Sequence, residues 1–122
     1  MEYGYKITPG PEYVHAEAWG EDNKTRPIEF FKATIQACLD AHQPRVLLES
    51  RAENPLSTLE YYQVGQEILR MGLPAGHKIA AVTYQPGVRL GDRFLETLAR
   101  NRGIRGRLFA TRDEALQWLL QP

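Results

Sequence analysis

Cysteine is almost absent from this 122-residue sequence, which contains only Cys38. One cysteine cannot form a disulfide within the chain, and such a composition favours a reducing compartment. No apolar run approaches the roughly 20 residues of a membrane-spanning helix, and the first ten residues lack the basic and apolar regions of a signal peptide. These absences predict a cytoplasmic protein without a membrane span.

The signatures of common enzymes are missing as well. The sequence has no glycine-rich nucleotide-binding loop, no H-E-x-x-H pair and no G-x-S-x-G elbow. His15, His42 and His77 stand apart from one another and from Cys38, so we expect no metal site and no cofactor. Cys38 lies on an apolar helix face without a basic neighbour, which favours a buried, inert thiol over a nucleophile. The prediction is a non-enzymatic protein.

Net charge is also absent, because 15 basic residues balance 15 acidic ones. Nothing therefore predicts binding to nucleic acid or to an anionic membrane. From residue 81 onward every basic residue is an arginine, a type suited to paired contacts with carboxylate or phosphate. A solvated surface of mixed charge explains the same pattern.

What the sequence does contain is a regular succession of strand and helix patterns within one expected domain, residues 1–122. Alternating residues predict an antiparallel hairpin at the N-terminus. The predicted elements are strands over 3–8 and 12–19, a helix over 27–42, a strand over 46–48, a helix from Ser57 closed by Gly72 and Pro74, a strand over 79–82, a helix over 93–101 capped by Asp92, a strand over 105–109 and a helix opened by Thr111.

This ββαβαβαβα order predicts an α/β fold. Strands that alternate with helices form a mostly parallel sheet through right-handed crossovers. The five-stranded sheet is mixed because the N-terminal hairpin is antiparallel.

Ser57 and Thr58 form the first candidate site. A hydroxyl at a helix N-terminus can accept a phosphate, which the helix dipole and the unpaired N–H groups then stabilise. The spacing from Ser57 to Glu60 also matches a capping box, and this simpler interpretation is favoured for Ser57.

A second candidate is a ligand rim where the loop over residues 50–58 faces the loop over residues 85–89. Open α/β sheets bind ligands beyond the carboxyl ends of their strands. A solvated loop is the competing interpretation. The candidate rim residues are Glu49, Arg51, Glu53, Arg89 and Arg93.

The order of elements resembles the STAS superfamily, and more closely its SpoIIAA-like bacterial proteins, which are grouped with lipid-binding Sec14-type domains. The resemblance covers nearly the whole chain. It rests on the strand RVLLES before the helix at Ser57, and on the closing segment NRGIRGRLFATRDEALQWL. In that segment a pattern common to such domains is matched by Phe109, Thr111, Glu114, Ala115, Trp118 and Leu119.

The resemblance implies a module that acts through protein or ligand contacts, like the anti-sigma-factor antagonists of this family. Phosphorylated members open the helix with an Asp-Ser-Ser-Gly-type motif, where this chain has Leu56-Ser57-Thr58-Leu59 and keeps only the hydroxyls.

The leading hypothesis is therefore a regulatory protein-interaction module. The alternative is a carrier of a small apolar molecule or lipid, with a pocket between the sheet and the first two helices. An enzyme that uses Glu49 or Glu53 has the weakest support in the sequence. Self-association as a homodimer, through an edge strand or a helix face, is a further expectation.

Overall fold

The computed structural model describes residues 2–71 and 76–122, which form five strands and four helices. No helix in this described part is long and apolar enough to cross a membrane. In chain order the elements are β1 (Gly4–Pro9), β2 (Val14–Gly20), α1 (Thr25–Ala41), β3 (Arg45–Ala52), α2 (Thr58–Met71), β4 (Lys78–Thr83), α3 (Pro86–Asn101), β5 (Arg105–Phe109) and α4 (Arg112–Leu119).

The strands form one mixed sheet, in which they follow one another as in the chain, β1-β2-β3-β4-β5. β1 pairs antiparallel with β2, and the other neighbouring strands are parallel. The predicted fold class and N-terminal hairpin are therefore confirmed. Each parallel pair needs a crossover, and α1, α2 and α3 supply these crossovers. Successive right-handed crossovers in one direction place these helices on the same face of the sheet.

The two faces of the sheet carry separate cores. On the face of α1, α2 and α3, alternate β2 residues such as Val14 and Ala16 pack with Phe30 and Cys38 of α1. On the other face, Leu47 of β3 packs with Ala80, Val82, Ala115 and Leu119. The last two residues belong to α4, so this short helix alone, among the described residues, covers that face.

β3 is longer than the predicted strand over residues 46–48. It continues through Ala52, which pairs with Gly20 of β2. Glu49 and Arg51 therefore lie within the strand, and not in the loop that follows it. Because β3 is central, its backbone groups pair with β2 on one side and with β4 on the other, and this pairing overrides the polar sequence.

α3 begins earlier than predicted. The segment Gln85-Pro86-Gly87 starts the helix, and the side chain of Gln85 accepts a hydrogen bond from the N–H of Val88. Pro86 suits the first turn because its missing N–H would have no helical partner there. Asp92 is thus an interior residue of α3 and not its cap. The predicted closure of α2 by Gly72 and Pro74 lies outside the described residues.

The two adjacent tyrosines of α2 lie in different surroundings, since Tyr61 is buried and Tyr62 is exposed. The ring of Tyr61 fits against Gly91 of α3, where a Cβ atom would overlap the ring. Gly65 makes a similar close approach to Leu98. Two glycines therefore allow α2 and α3 to pack closely, which the sequence pattern could not show.

Candidate functional site

The turn before α2 is built as a capping box. The N–H of Ser57 donates to Glu60 Oε1 over 3.0 Å, and the N–H of Glu60 donates to Ser57 Oγ over 3.1 Å. These hydrogen bonds from the Ser57 backbone and side chain hold the pKa of Glu60 below its ordinary value. Thr58, the first residue of α2, is exposed beside the box. The hydroxyl of Ser57 is thus engaged in the fold.

A buried carboxylate forms a second polar centre on the face covered by α4. Glu49 of β3 has no solvent exposure. Its Oε1 accepts from His15 Nε2 at 2.7 Å and from Arg112 Nη2 at 2.6 Å. Its Oε2 accepts from the hydroxyl of Tyr84 at 2.6 Å and faces Arg51 Nη2 at 3.5 Å. These four donors match the roughly four acceptor sites that a carboxylate offers.

The donors keep Glu49 ionised despite its burial. Burial by itself raises the pKa of a carboxyl group, but hydrogen bonds from Tyr84, Arg112 and His15 outweigh it and lower the pKa of Glu49. Burial and the bond to Glu49 in turn raise the pKa of Tyr84. A carboxylate with a lowered pKa and occupied oxygens is a poor general base. The geometry therefore gives no support to acid–base catalysis by Glu49.

The centre links four parts of the chain. His15 comes from β2, Tyr84 follows β4 and Arg112 begins α4. The guanidinium of Arg51 also lies over the ring of Tyr84, 4.3 Å from its centroid. Sequence reasoning missed the roles of His15, Tyr84 and Arg112. Only the alternation along β2 and β3, which puts His15 and Glu49 on one face, carried a local signal.

The predicted rim residues lie on both sides of the sheet. Glu49 and Arg51 contact each other on the side of α4. Arg89 and Arg93 belong to α3 in the opposite layer, where Arg89 Nε donates to the carbonyl oxygen of Thr83 over 2.9 Å. Glu53 is exposed at the end of β3, and its N–H donates to the carbonyl oxygen of Gly20. The structure therefore groups Glu49 with Arg51 and places the two α3 arginines elsewhere.

A cavity of about 190 Å³ lies between the sheet and the layer of α1, α2 and α3. Its walls are mainly apolar and include Phe30, Leu48, Val64 and Leu95. Near the carboxyl ends of the parallel strands, however, polar side chains reach it. These include Asp22, Tyr61, Thr83 and Asp92, while Glu96 and Arg107 also line the cavity.

The surroundings of Asp22 and Asp92 raise the pKa of both carboxyl groups. Burial raises the pKa of Asp92 to about 6, although the hydroxyl of Thr83 donates to its Oδ2 over 2.7 Å. Burial likewise raises the pKa of Asp22 to about 6, against the opposing effects of the Asn23 N–H and Arg26. Burial raises the pKa of Tyr61, and the charges of Asp92 and Asp22 raise it further. The two acids therefore share one end of the cavity.

Metal binding has no support in the part of the chain that is described. Across residues 2–71 and 76–122, no group of three or more His, Cys, Asp or Glu side chains is arranged to hold a metal ion. Cys38 is buried, and burial raises the pKa of its thiol to about 11.

No protein-family model matches this sequence, and no curated protein matches it. Solved structures do match its fold. An anti-sigma factor antagonist from Mycobacterium paratuberculosis has a TM-score of 0.66 at 15% identity, covering 98% of this chain and 96% of that chain. The anti-sigma factor antagonist SpoIIAA, in its unphosphorylated form, has a TM-score of 0.56 at 13% identity, covering 94% and 95%.

A third structure is an uncharacterized protein with a SpoIIAA-like fold from Shewanella loihica. It has a TM-score of 0.55 at 16% identity and covers 96% of this chain and 93% of that chain. These matches extend over nearly the whole length of each chain. They confirm the resemblance stated from the sequence as a likeness of fold.

Proposed function

We propose that this chain, which has a SpoIIAA-like fold, is a non-enzymatic regulatory module that binds a protein partner, and that the partner is an anti-sigma factor. Two of the similar structures are anti-sigma factor antagonists, and each match extends over nearly the whole length of both chains. The absence of catalytic signatures from the sequence and the fully engaged state of Glu49 support the non-enzymatic role.

The observation that carries this proposal is a set of exposed apolar side chains on two neighbouring helices. We call it the α2–α3 face and define it as Leu59, Tyr62, Leu90 and Phe94. Leu90 is 73% exposed and Leu59 is 64% exposed. Single exposed apolar residues are ordinary, whereas a contiguous apolar patch is typical of a protein interface, and we propose that these four side chains form one.

Charge around this face indicates the character of the partner. Arg93 lies between Leu90 and Phe94 in the sequence of α3 and is exposed. Arg100, about two helical turns later, is also exposed and pairs with Glu96 at 3.6 Å. Arginine is common in interfaces and forms paired bonds with carboxylates. The α2–α3 face therefore suits a partner surface with apolar side chains surrounded by acidic ones.

Thr58 is the better candidate for a phosphate acceptor beside this face. A phosphate on Ser57 would have to displace the carboxylate of Glu60 from the N–H of Ser57, or remain next to its negative charge. Thr58 is exposed and lies outside the reciprocal bonds of the box. A phosphate there would add negative charge next to Leu59, and we expect it to weaken binding of an acidic partner.

The proposal is tested by titrating the purified protein with the purified anti-sigma factors encoded by the same genome. We expect one of them to bind, and the double substitution Leu90→Glu and Phe94→Glu to weaken that binding by at least about tenfold. The matched control is Leu39→Glu, because Leu39 is also an exposed apolar residue but lies near the end of α1.

Chemical unfolding should show that all variants remain folded. If no anti-sigma factor binds, the partner class is wrong. If the α3 double variant binds as well as the Leu39→Glu control, the α2–α3 face is not the interface.

A further inference from the structure

The cavity beneath α1, α2 and α3 is larger than the voids that packed protein interiors normally hold. Its volume is about 190 Å³, whereas a cavity of about 150 Å³ lined by apolar side chains is enough to bind benzene. Native interiors are nearly as dense as organic crystals and contain few voids larger than a water molecule. A space of this size can hold a small organic molecule.

The cavity is long enough to hold an extended ligand. The lining runs along β4 from Ile79, near the start of the strand, to Thr83 at its end. At about 3.3 Å per residue, this distance is roughly 13 Å. Over most of this length the walls are apolar, so the body of the ligand is apolar too.

One end of the cavity is acidic. Asp92 projects from α3 toward β4, where Thr83 donates to its Oδ2 over 2.7 Å. Asp22, which follows β2, and the hydroxyl-bearing Tyr61 of α2 line the same end. This end lies at the carboxyl ends of β2 and β4, where open α/β sheets bind their ligands.

The two acidic residues at this end differ in whether a basic side chain lies near them. Arg26 acts on Asp22 and lowers its pKa. Asp92 accepts a hydrogen bond from the neutral hydroxyl of Thr83, and among the described residues no salt bridge joins it to a basic side chain. Asp92 therefore brings a negative charge to the cavity, and a cationic group would compensate it. Arg107 also lines the cavity, but its guanidinium lies over Phe109, on the other face of β5.

We propose that the cavity binds a small, elongated apolar molecule with a protonated amine at one end, and that the amine pairs with Asp92. The apolar body lies along β4, and the ammonium group reaches the acidic end next to Thr83 and Asp22. A ligand with a carboxylate head would place like charges together, and a neutral head would leave the charge of Asp92 without a counter-ion. This site is separate from the α2–α3 face, so it does not depend on the proposed partner.

The test compares three probes of one chain length by isothermal titration calorimetry at pH 7.5, namely hexylamine, 1-hexanol and hexanoate. We expect hexylamine to bind about tenfold or more tightly than 1-hexanol, because its ammonium group forms a charge-assisted hydrogen bond with the carboxylate of Asp92. Hexanoate should bind most weakly. Equal binding of the amine and the alcohol would overturn the assignment of the head group.

The substitution Asp92→Asn tests the pairing of the amine with Asp92. Asp92→Asn keeps the shape of the side chain and its bond to Thr83, and should remove most of the preference for the amine while the affinity for 1-hexanol stays the same. Asp113→Asn is its control, since Asp113 is exposed on α4 across the sheet. An amine preference unchanged in Asp92→Asn would contradict the pairing.

The substitution Gly106→Leu tests whether the apolar body of the ligand occupies the cavity. Gly106 lines the cavity, and a Cβ atom added there meets nothing within 4 Å. The leucine should fill the space and abolish binding of all three probes without lowering the stability of the fold. Hexylamine that still binds this variant at the wild-type affinity would occupy another place, and failure of every probe to bind the wild-type protein would refute the proposal.

Discussion

Nη2 of Arg112, the first residue of α4, lies 2.6 Å from Oε1 of Glu49 in the middle of β3. This ion pair joins the central strand to the helix that covers one face of the sheet. Glu49 is fully buried, whereas the side chain of Arg112 remains 47% exposed. The pair therefore needs little desolvation of the cation, while the anion receives two further donors from His15 and Tyr84.

We predict that Glu49→Gln lowers the free energy of unfolding by about 2–3 kcal/mol. The amide has the size of the carboxylate but carries no charge, and its NH₂ group would face donors that the carboxylate now accepts from. Urea unfolding followed by circular dichroism measures the change. Glu12→Gln is the matched control, because Glu12 is exposed in the loop between β1 and β2, and it should change the stability by less than about 0.5 kcal/mol.

A double-mutant cycle separates the contributions to this centre. The coupling of Glu49 to Arg112, at 2.6 Å, should exceed its coupling to Arg51, at 3.5 Å. Equal couplings would show that the shorter pair has no special role in fixing α4.

We predict that Asp92→Asn becomes more stable relative to the wild type as the pH rises from about 4 to about 6. The pKa of Asp92 is raised from its ordinary 3.8 to about 6, so in this range the folded protein keeps a proton that the unfolded chain releases. Raising the pH therefore removes stability from the wild type but not from the amide variant. We expect a gain of about 1–2 kcal/mol.

Unfolding in urea at a series of pH values measures this difference. The groups facing Asp92 are Thr83 from β4, Tyr61 from α2 and Asp22 from the loop after β2. Asp113→Asn, at an exposed position of α4, should show no such rise in relative stability. A stability difference that stays constant with pH would mean that Asp92 ionises with an ordinary pKa.

We predict that Ser57→Ala lowers the free energy of unfolding by about 1 kcal/mol, because it removes the side-chain acceptor for the N–H of Glu60. Ser57→Asp should keep most of the stability, since aspartate also caps helices well. Thermal unfolding compares the two variants. Thr58→Ala is the control and should be close to neutral. Equal stability of Ser57→Ala and the wild type would show that the cap contributes nothing.

We predict that Gly91→Ala destabilises the protein by about 1–3 kcal/mol, because the added methyl group would overlap the ring of Tyr61 and force α2 and α3 apart. Gly106→Ala adds the same methyl group where nothing lies within 4 Å, so it should not destabilise the fold. Denaturant unfolding of the two variants gives the comparison. A Gly91→Ala variant as stable as Gly106→Ala would contradict the close packing of these helices.

Short-range features of the fold were predicted from the sequence because the interacting residues are close along the chain. The box from Ser57 to Glu60 spans a single turn and is present. Thr111 opens α4 as predicted, because its hydroxyl oxygen accepts from the N–H of Glu114. The alternation of β2, with Val14 and its alternate neighbours on the face packed against α1, is also present. The order of strands and helices followed from these local patterns and from the handedness of crossovers.

The extents of β3 and α3 were decided by tertiary structure. Glu49 and Arg51 have the polarity of a loop, but both pair with β2, and Glu49 pairs with β4 as well, which keeps them in the strand. Asp92 resembles a helix cap in the sequence, yet it bonds to Thr83 from inside α3. In both cases a contact with a distant strand determined the local structure.

The sequence by itself determined the fold class, the hairpin and the N-terminal caps of α2 and α4, because each depends on periodicity or on spacings within one helical turn. Only the tertiary structure brought His15, Tyr84 and Arg112 to Glu49, fitted Tyr61 against Gly91, and placed Asp22 and Asp92 at one end of a cavity. These residues lie on separate elements, and their meeting depends on the register of the sheet and the packing of helices upon it. Neither leaves a pattern in neighbouring residues.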